Sequence, residues 1–111
     1  MDFKEICYIV KDAIEDKKGE KIRILDLKGI SSLADGFVIA SGNNVNQLRA
    51  IADNVEEKLA KRNIYIHHRE GYQTGEWILL DFGGVIVHLF NKEKREFYDL
   101  DRIWSDAKEI V

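Results

Sequence analysis

Hydrophobic residues near the start of the chain recur at helical spacing. Asp2 stands just before them with Glu5 three residues on, a capping pattern found where helices begin. Gly19 interrupts the pattern and marks the end of the helix. The spacing therefore predicts an amphipathic first helix, whose apolar stripe consists of Phe3, Ile6, Cys7, Val10 and Ile14.

A second helical pattern extends from about Asn44 to Arg62, and Asn43 or Asn44 can cap its first turn. A short charged helix is predicted over about residues 91–98, and Asp101 is predicted to cap a final turn. The apolar stripe of the long second helix consists of Val45, Leu48, Ala52, Val55 and Leu59.

Short apolar runs before and after the second helix predict strands. Residues 22–27 and 37–40 precede the helix, and residues 64–68 follow it. The order of strand, glycine turn, helix and strand indicates a β-α-β crossover, in which the strand at 64–68 returns parallel to the one at 37–40.

Two further apolar runs flank Gly83-Gly84, a strong signal for a β-hairpin. A two-residue turn there would pair Phe82 with Val85 and give one wholly apolar face, which we expect beneath the helices. The opposite face favours a surface that binds a partner, although a second layer of the same domain would also explain it. That face carries Trp77, Leu79, Asp81, Ile86, His88 and Phe90.

The crossover requires parallel strands and the hairpin requires antiparallel ones, so the sequence predicts a mixed sheet. We expect an α/β or α+β fold with about five strands and helices mainly on one face. A chain of 111 residues can form one hydrophobic core, so residues 1–111 are interpreted as a single domain.

The charge balance argues against direct nucleic-acid binding. Seventeen Lys and Arg against twenty Asp and Glu give a net charge of −3, which favours basic partners over phosphate backbones. The single cysteine, Cys7, excludes an intramolecular disulfide, and no stretch resembles a signal peptide or a membrane span. We therefore expect a cytoplasmic protein with no membrane partner.

The best enzymatic alternative is a nucleotide-binding or nucleotidyltransferase-type site. It would use Ser41-Gly42 before the second helix together with the carboxylates Asp99 and Asp101. The turn lacks the lysine and the glycine spacing of known phosphate-binding loops, however. His67 and His68 are neighbours on a predicted strand and point to opposite faces, so no metal or cofactor is predicted.

Four blocks of sequence stand in the order and spacing of one protein family. They read LADGFVIASGN at residues 33–43, EGY at 70–72 continued by GEWILLDFG at 75–83, VIVHLF at 85–90 and REFYDL at 95–100. With these blocks the chain resembles the ribosomal silencing factor family, also called Iojap-related. The resemblance implies a nucleotidyltransferase-like fold without its catalytic carboxylates, and therefore no enzyme activity.

The resemblance also implies a function. Such a protein would bind the large ribosomal subunit through large-subunit ribosomal protein fourteen, and would repress translation by blocking the small subunit when nutrients are scarce. A role in late assembly of the large subunit is implied as well. A homodimer that uses the same sheet face remains an alternative.

The family's partner surface corresponds here to residues 77–81, His88 and Tyr98. Gly36 and Gly84 depart from the family pattern, which commonly has an aromatic residue and an aspartate at these positions. Combined with the hairpin face, the predicted partner-binding residues are Trp77, Leu79, Asp81, His88, Phe90 and Tyr98.

Overall fold

The computed structural model describes residues 1–110, which form one six-stranded mixed sheet and four helices. The α/β to α+β class with a mixed sheet is therefore confirmed, with one strand more than predicted. In chain order the elements are α1 (Phe3–Asp16), β1 (Glu20–Asp26), β2 (Gly36–Gly42), α2 (Val45–Ala60), β3 (His68–Glu70), β4 (Trp77–Asp81), β5 (Val85–Asn91), α3 (Lys92–Tyr98), α4 (Leu100–Ile103) and β6 (Lys108–Ile110).

Polar side chains cap three of the helices at their first turns. Asp2 accepts from the backbone N–H of Lys4, and Asn44 accepts from that of Gln47 at 2.8 Å. Asn91 caps α3 in the same way. Local sequence signals thus fix where α1, α2 and α3 begin.

The strands lie in the order β3-β4-β5-β2-β1-β6. β2 and β5 run parallel in the centre, and every other neighbouring pair is antiparallel. In the β4–β5 hairpin Trp77 pairs with Phe90 and Asp81 with Ile86, and the N–H of Phe82 donates to the carbonyl of Val85 at 3.0 Å. This register confirms the two-residue turn and the predicted division of the hairpin into two faces.

One face of the sheet lies beneath α1 and α2. Ile78, Leu80, Val87 and Leu89 of the hairpin are completely buried there and pack with most of the apolar stripes of both helices. Ile6 of α1 and Val45 of α2 are only half-buried. Cys7 belongs to the same cluster, and burial raises the pKa of its thiol to about 12. This confirms its interpretation as a small buried hydrophobic residue.

The other face is covered only in part, by residues 92–110, which we call the C-terminal segment. Its Leu100 and Trp104 belong to the same apolar cluster as Phe37, and the Phe37 and Trp104 rings are 5.5 Å apart. β6 at the end of the segment pairs with β1 and adds the sixth strand. Sequence reasoning missed β6 because a three-residue strand with one apolar position has no periodic signal.

Two predicted elements differ from the observed ones. The strand predicted at residues 64–68 is β3 at His68–Glu70, and it pairs with β4 at the sheet edge instead of lying beside β2. β3 does run parallel to β2, so the crossover exists but spans two intervening strands. Asp101 does not cap the final turn, because it lies inside α4 and binds arginine side chains.

The two departures from the family pattern occupy tightly packed positions. A Cβ atom on Gly36 would lie 3.0 Å from the ring of Phe3, so the first helix already supplies an aromatic ring at this place. A Cβ atom on Gly84 would lie 3.2 Å from a carboxylate oxygen of Asp35. An aspartate at position 84 would therefore face another acid.

Candidate partner-binding surface

The uncovered part of the second face is formed by β3 and β4. Trp77, Leu79 and Asp81 alternate along β4 with buried residues and are each half-buried. His68 and Glu70 of β3 lie opposite Asp81 and Leu79, and both are exposed. We call this set of five residues the open half of the face.

The indole of Trp77 is held in place by side chains of the covered part. Its Nε1 donates to Nδ1 of His88 at 3.1 Å, and its ring centroid lies 5.0 Å from that of Phe90 and 4.9 Å from that of Tyr98. Part of the Trp77 side chain remains accessible, since the residue is only half-buried. A fixed aromatic side chain that reaches solvent suits an interface anchor.

Two of the six predicted site residues do not lie on an accessible surface. His88 is 4% exposed and Phe90 is fully buried, because the C-terminal segment and the neighbouring rings cover them. At these two positions the structure agrees with the alternative that a second layer of the same domain covers this face, and their part in partner binding stays a prediction. The structure gives them a supporting position beneath Trp77.

His88 is a neutral imidazole in this setting. Burial lowers its pKa to about 4, since the charged form would lose its hydration. Nδ1 accepts from Trp77, so the ring proton is on Nε2, which has no hydrogen-bond partner among residues 1–110. The ring of Phe37 lies edge-on to the imidazole at 4.5 Å.

Asp81 has a structural contact in addition to its partial exposure. Its Oδ1 accepts from the backbone N–H of Gly83 at 2.8 Å, which stabilises the hairpin turn. A basic side chain of a partner would therefore pair mainly with the other oxygen of this carboxylate.

A depression of about 250 Å³ opens beside Trp77 on the same surface. Gly71 at its edge has φ +76°, and a Cβ atom there would lie 1.9 Å from the carbonyl oxygen of Trp77. Arg49 of α2 secures the adjoining loop by donating from Nε to the carbonyl of Tyr72 at 2.9 Å. The depression is lined by Glu70, Gly71, Thr74, Glu76, Trp77, Leu79 and Tyr98.

Sequence reasoning did not single out Glu70 and Glu76 as site residues. Glu70 reaches this surface because β3 pairs with β4, whereas the strand was predicted to end at residue 68. Glu76 directly precedes β4, and its carbonyl accepts from the backbone N–H of Asn91. The only sequence signal for Glu76 is its place directly before Trp77, the first residue of β4.

Three of the four residues of the enzymatic alternative, Ser41, Asp99 and Asp101, line a second depression of about 640 Å³. Arg95 connects two of them, because it donates to the hydroxyl of Ser41 at 2.9 Å and to the carboxylate of Asp101 at 3.0 Å. Arg23 donates to the same carboxylate at 2.9 Å. A metal ion at Asp101 would have to displace both guanidinium groups.

Hydrogen bonds from Arg95 and Arg23 hold the pKa of Asp101 below its ordinary value. Asp99 lies apart from this pair of contacts, at the junction between α3 and α4, with Arg102 as its ion-pair partner. Within residues 1–110 no group of three or more His, Cys, Asp or Glu side chains is arranged to hold a metal ion.

Comparison with known proteins finds one family over the whole length of the chain. The family model described as "Ribosomal silencing factor during starvation" matches residues 1–111. The chain belongs to this family. Relatives named ribosomal silencing factor include one from Halalkalibacterium halodurans, 38% identical over 99% of this chain and 94% of the relative, and one from Bacillus subtilis, 39% identical over 96% and 91%.

A chloroplast Iojap protein of Arabidopsis thaliana is 30% identical, and the match covers 98% of this chain and 46% of that protein. Among solved structures, a Chromobacterium violaceum protein superposes with a TM-score of 0.92 at 35% identity, covering 95% of this chain and 88% of the other. A Bacillus halodurans protein gives 0.86 at 35%, covering 97% and 98%. The fold described above is thus also that of crystallised proteins.

No helix within residues 1–110 combines the length and the apolar character needed to cross a membrane.

Proposed function

We propose that this chain represses translation by binding the large ribosomal subunit through large-subunit ribosomal protein fourteen. Bound there, it prevents joining with the small subunit by occupying the space that the small subunit needs. The chain acts in the cytoplasm as one domain, residues 1–111, and without turnover of a substrate. Assistance in late assembly of the large subunit belongs to the same proposal.

Membership of the ribosomal silencing factor family is the observation that carries the proposal. The open half of the second face supports it physically, because Trp77 and Leu79 stay accessible although both are apolar. Tyr98 extends this apolar surface, and the exposed Phe97 packs edge-on against Tyr98 with ring centroids 5.3 Å apart. Aromatic anchors within a polar rim are characteristic of interface centres.

The test is sedimentation of purified large subunits with the wild-type chain and with Trp77→Ala. We expect Trp77→Ala to weaken binding by about 2 kcal/mol or more, which is roughly thirtyfold, because an interface anchor is removed. Leu79→Ala is a second variant that leaves the Trp77–His88 hydrogen bond intact, and we expect a smaller loss. Tyr8→Ala on α1, at the opposite face of the sheet, is the matched control.

Circular dichroism and thermal unfolding must show that each variant is folded. Full binding by folded Trp77→Ala and Leu79→Ala would contradict the proposed surface. The mechanism has its own test, in which the chain is added to separated subunits before they join. Formation of joined ribosomes in the presence of saturating wild-type chain would contradict steric exclusion.

A further inference from the structure

The depression beside Trp77 has the dimensions of a pocket for one side chain. Its volume of about 250 Å³ is below the range of about 300–1,000 Å³ that is usual for small-molecule sites. Trp77 and Leu79 contribute half-buried apolar surface, and Tyr98 contributes a third such side chain. A long side chain from a partner can therefore lie against an apolar surface there.

Carboxylates at the edge define the charge of the pocket. Glu70 and Glu76 are both exposed at its lining. Among residues 1–110 no lysine or arginine forms an ion pair with either of them, and Glu70 has only the neighbouring imidazole of His68 at 2.9 Å. The nearby Arg69 is used elsewhere, since it pairs with Glu56 of α2 at 2.9 Å.

This combination selects one class of occupant. An acidic side chain would be repelled by the two carboxylates, and a purely apolar one would remove them from water without a partner. A lysine or arginine side chain can make favourable contacts with both the apolar and the acidic residues of the pocket. Its methylene stem packs on Leu79 while its charge lies beside the aromatic rings and the carboxylates.

We infer that the pocket formed by Glu70, Glu76, Trp77, Leu79 and Tyr98 receives one basic side chain of the bound partner. The inference rests on the proposed function, since it specifies the chemistry by which that partner is recognised. It assigns a role to Glu70 and Glu76, which lie outside the six residues predicted from the sequence. Arg49 holds the loop that contains Gly71 through its hydrogen bond to the carbonyl of Tyr72. A pocket with this fixed edge favours a single orientation of the occupant.

The experiment compares two double variants of equal charge in calorimetry with purified large-subunit ribosomal protein fourteen. The test variant is Glu70→Gln/Glu76→Gln, and the control is Glu15→Gln/Glu57→Gln, whose sites lie on the exposed surfaces of α1 and α2. Both variants raise the net charge by two, so a general electrostatic effect changes them alike. Circular dichroism verifies that both are folded.

We expect the test variant to bind about tenfold more weakly than the control and to lose part of the dependence of affinity on salt. Affinity of the test variant within about twofold of the control would overturn the inference while leaving the proposed function intact. If the wild-type chain binds neither the purified protein nor large subunits, the proposed function is overturned, and the inference with it.

A double-mutant cycle identifies the occupant. Lysine and arginine residues on the partner are replaced singly by alanine and measured against the wild-type chain and against Glu70→Gln/Glu76→Gln. The occupant is the residue whose replacement costs affinity with the wild-type chain and much less with the test variant. Strict additivity for every basic residue would show that no basic side chain enters the pocket.

Discussion

Adjacent residues of β4 face two different environments. Leu80 is completely buried beneath α1 and α2, whereas Leu79, one position away, is half-buried on the opposite face. Helices of 14 and 16 residues close the first face, and both have an apolar stripe that fits a broad apolar sheet surface. In the described part of the chain, residues 1–110, the second face is closed only over β1, β2 and β5, by a segment with much shorter helices.

The two halves of the second face differ in whether a segment of the chain is fastened over them. On the covered half, Asp101 joins Arg23 to Arg95, and Arg95 reaches Ser41 and the carbonyl of Lys21, so polar contacts fasten a thin apolar layer. Within residues 1–110 no such layer lies over the open half. An alternating strand pattern therefore marks a face as amphipathic, while the rest of the chain decides how far that face is covered.

The largest expected effect is a difference in the free energy of unfolding between alanine variants on the two faces of β4. Leu80→Ala should lower the free energy of unfolding by about 3 kcal/mol, because it leaves a cavity in a fully buried cluster. Leu79→Ala should cost less than about 1 kcal/mol, because that side chain already contacts solvent. Urea denaturation of both variants measures the difference, and equal losses would mean that the faces are equally closed.

A second prediction concerns the junction between the covered and open halves. Burial depresses the pKa of His88 to about 4 in the folded chain from its ordinary 6.5, so the unfolded chain binds its proton more readily. The stability that neutral His88 contributes is complete above about pH 6.5 and is lost as the pH falls towards 4. Between pH 7 and pH 5 the folded state should lose about 2 kcal/mol from this group.

His88→Gln is the matching variant, since its amide can still accept from Trp77. Urea midpoints measured at several pH values should fall more steeply for the wild-type chain than for His88→Gln. Identical slopes for both proteins would show that His88 does not enter a buried, neutral state on folding.

The smallest effect is expected for the polar contacts that fasten the C-terminal segment. Asp101→Asn should destabilise the folded chain by about 1–2 kcal/mol, because two arginine side chains lose their shared carboxylate in a half-buried site. Hydrogen exchange of the amides in residues 100–110 should accelerate, while that of α1 stays slow. Asp106→Asn, at an exposed position of the same segment, is the control.

The effect of Asp101→Asn also has an expected pH dependence. The folded state depresses the pKa of Asp101, so its contribution is present above the ordinary value of 3.8 and disappears as the pH falls through the lower folded value. The stabilities of wild type and variant should therefore converge in acid. A constant difference down to low pH would contradict the ion-pair account.

Particular residues show how far local signals reach. Asp2, Asn44 and Asn91 mark helix starts because a cap involves only backbone groups two or three residues away. Gly83-Gly84 predicts which hairpin residues share a face, because a two-residue turn sets the register of the two strands. The shared face of Trp77, Leu79 and Asp81 was predictable to the same extent, because the two-residue turn assigns all three to one side of the hairpin.

The remaining features depended on contacts between distant parts of the chain. β3 pairs with β4 at a sheet edge, which brings Glu70 opposite Leu79, and nothing near residue 70 encodes that neighbour. Burial of His88 and Phe90 depends on Tyr98 and on the Asp101 contacts with Arg23 and Arg95. These partners are separated by up to 78 positions in the chain.

The sequence alone therefore determined the helices, the hairpin, its two faces and the family resemblance, because periodicity, caps and turns act over a few residues. Which strands are neighbours, and how much of the second face stays open, follows from contacts between distant parts of the chain. Coverage of a face depends on where a distant segment packs, and the free energy of that packing is a property of the whole fold.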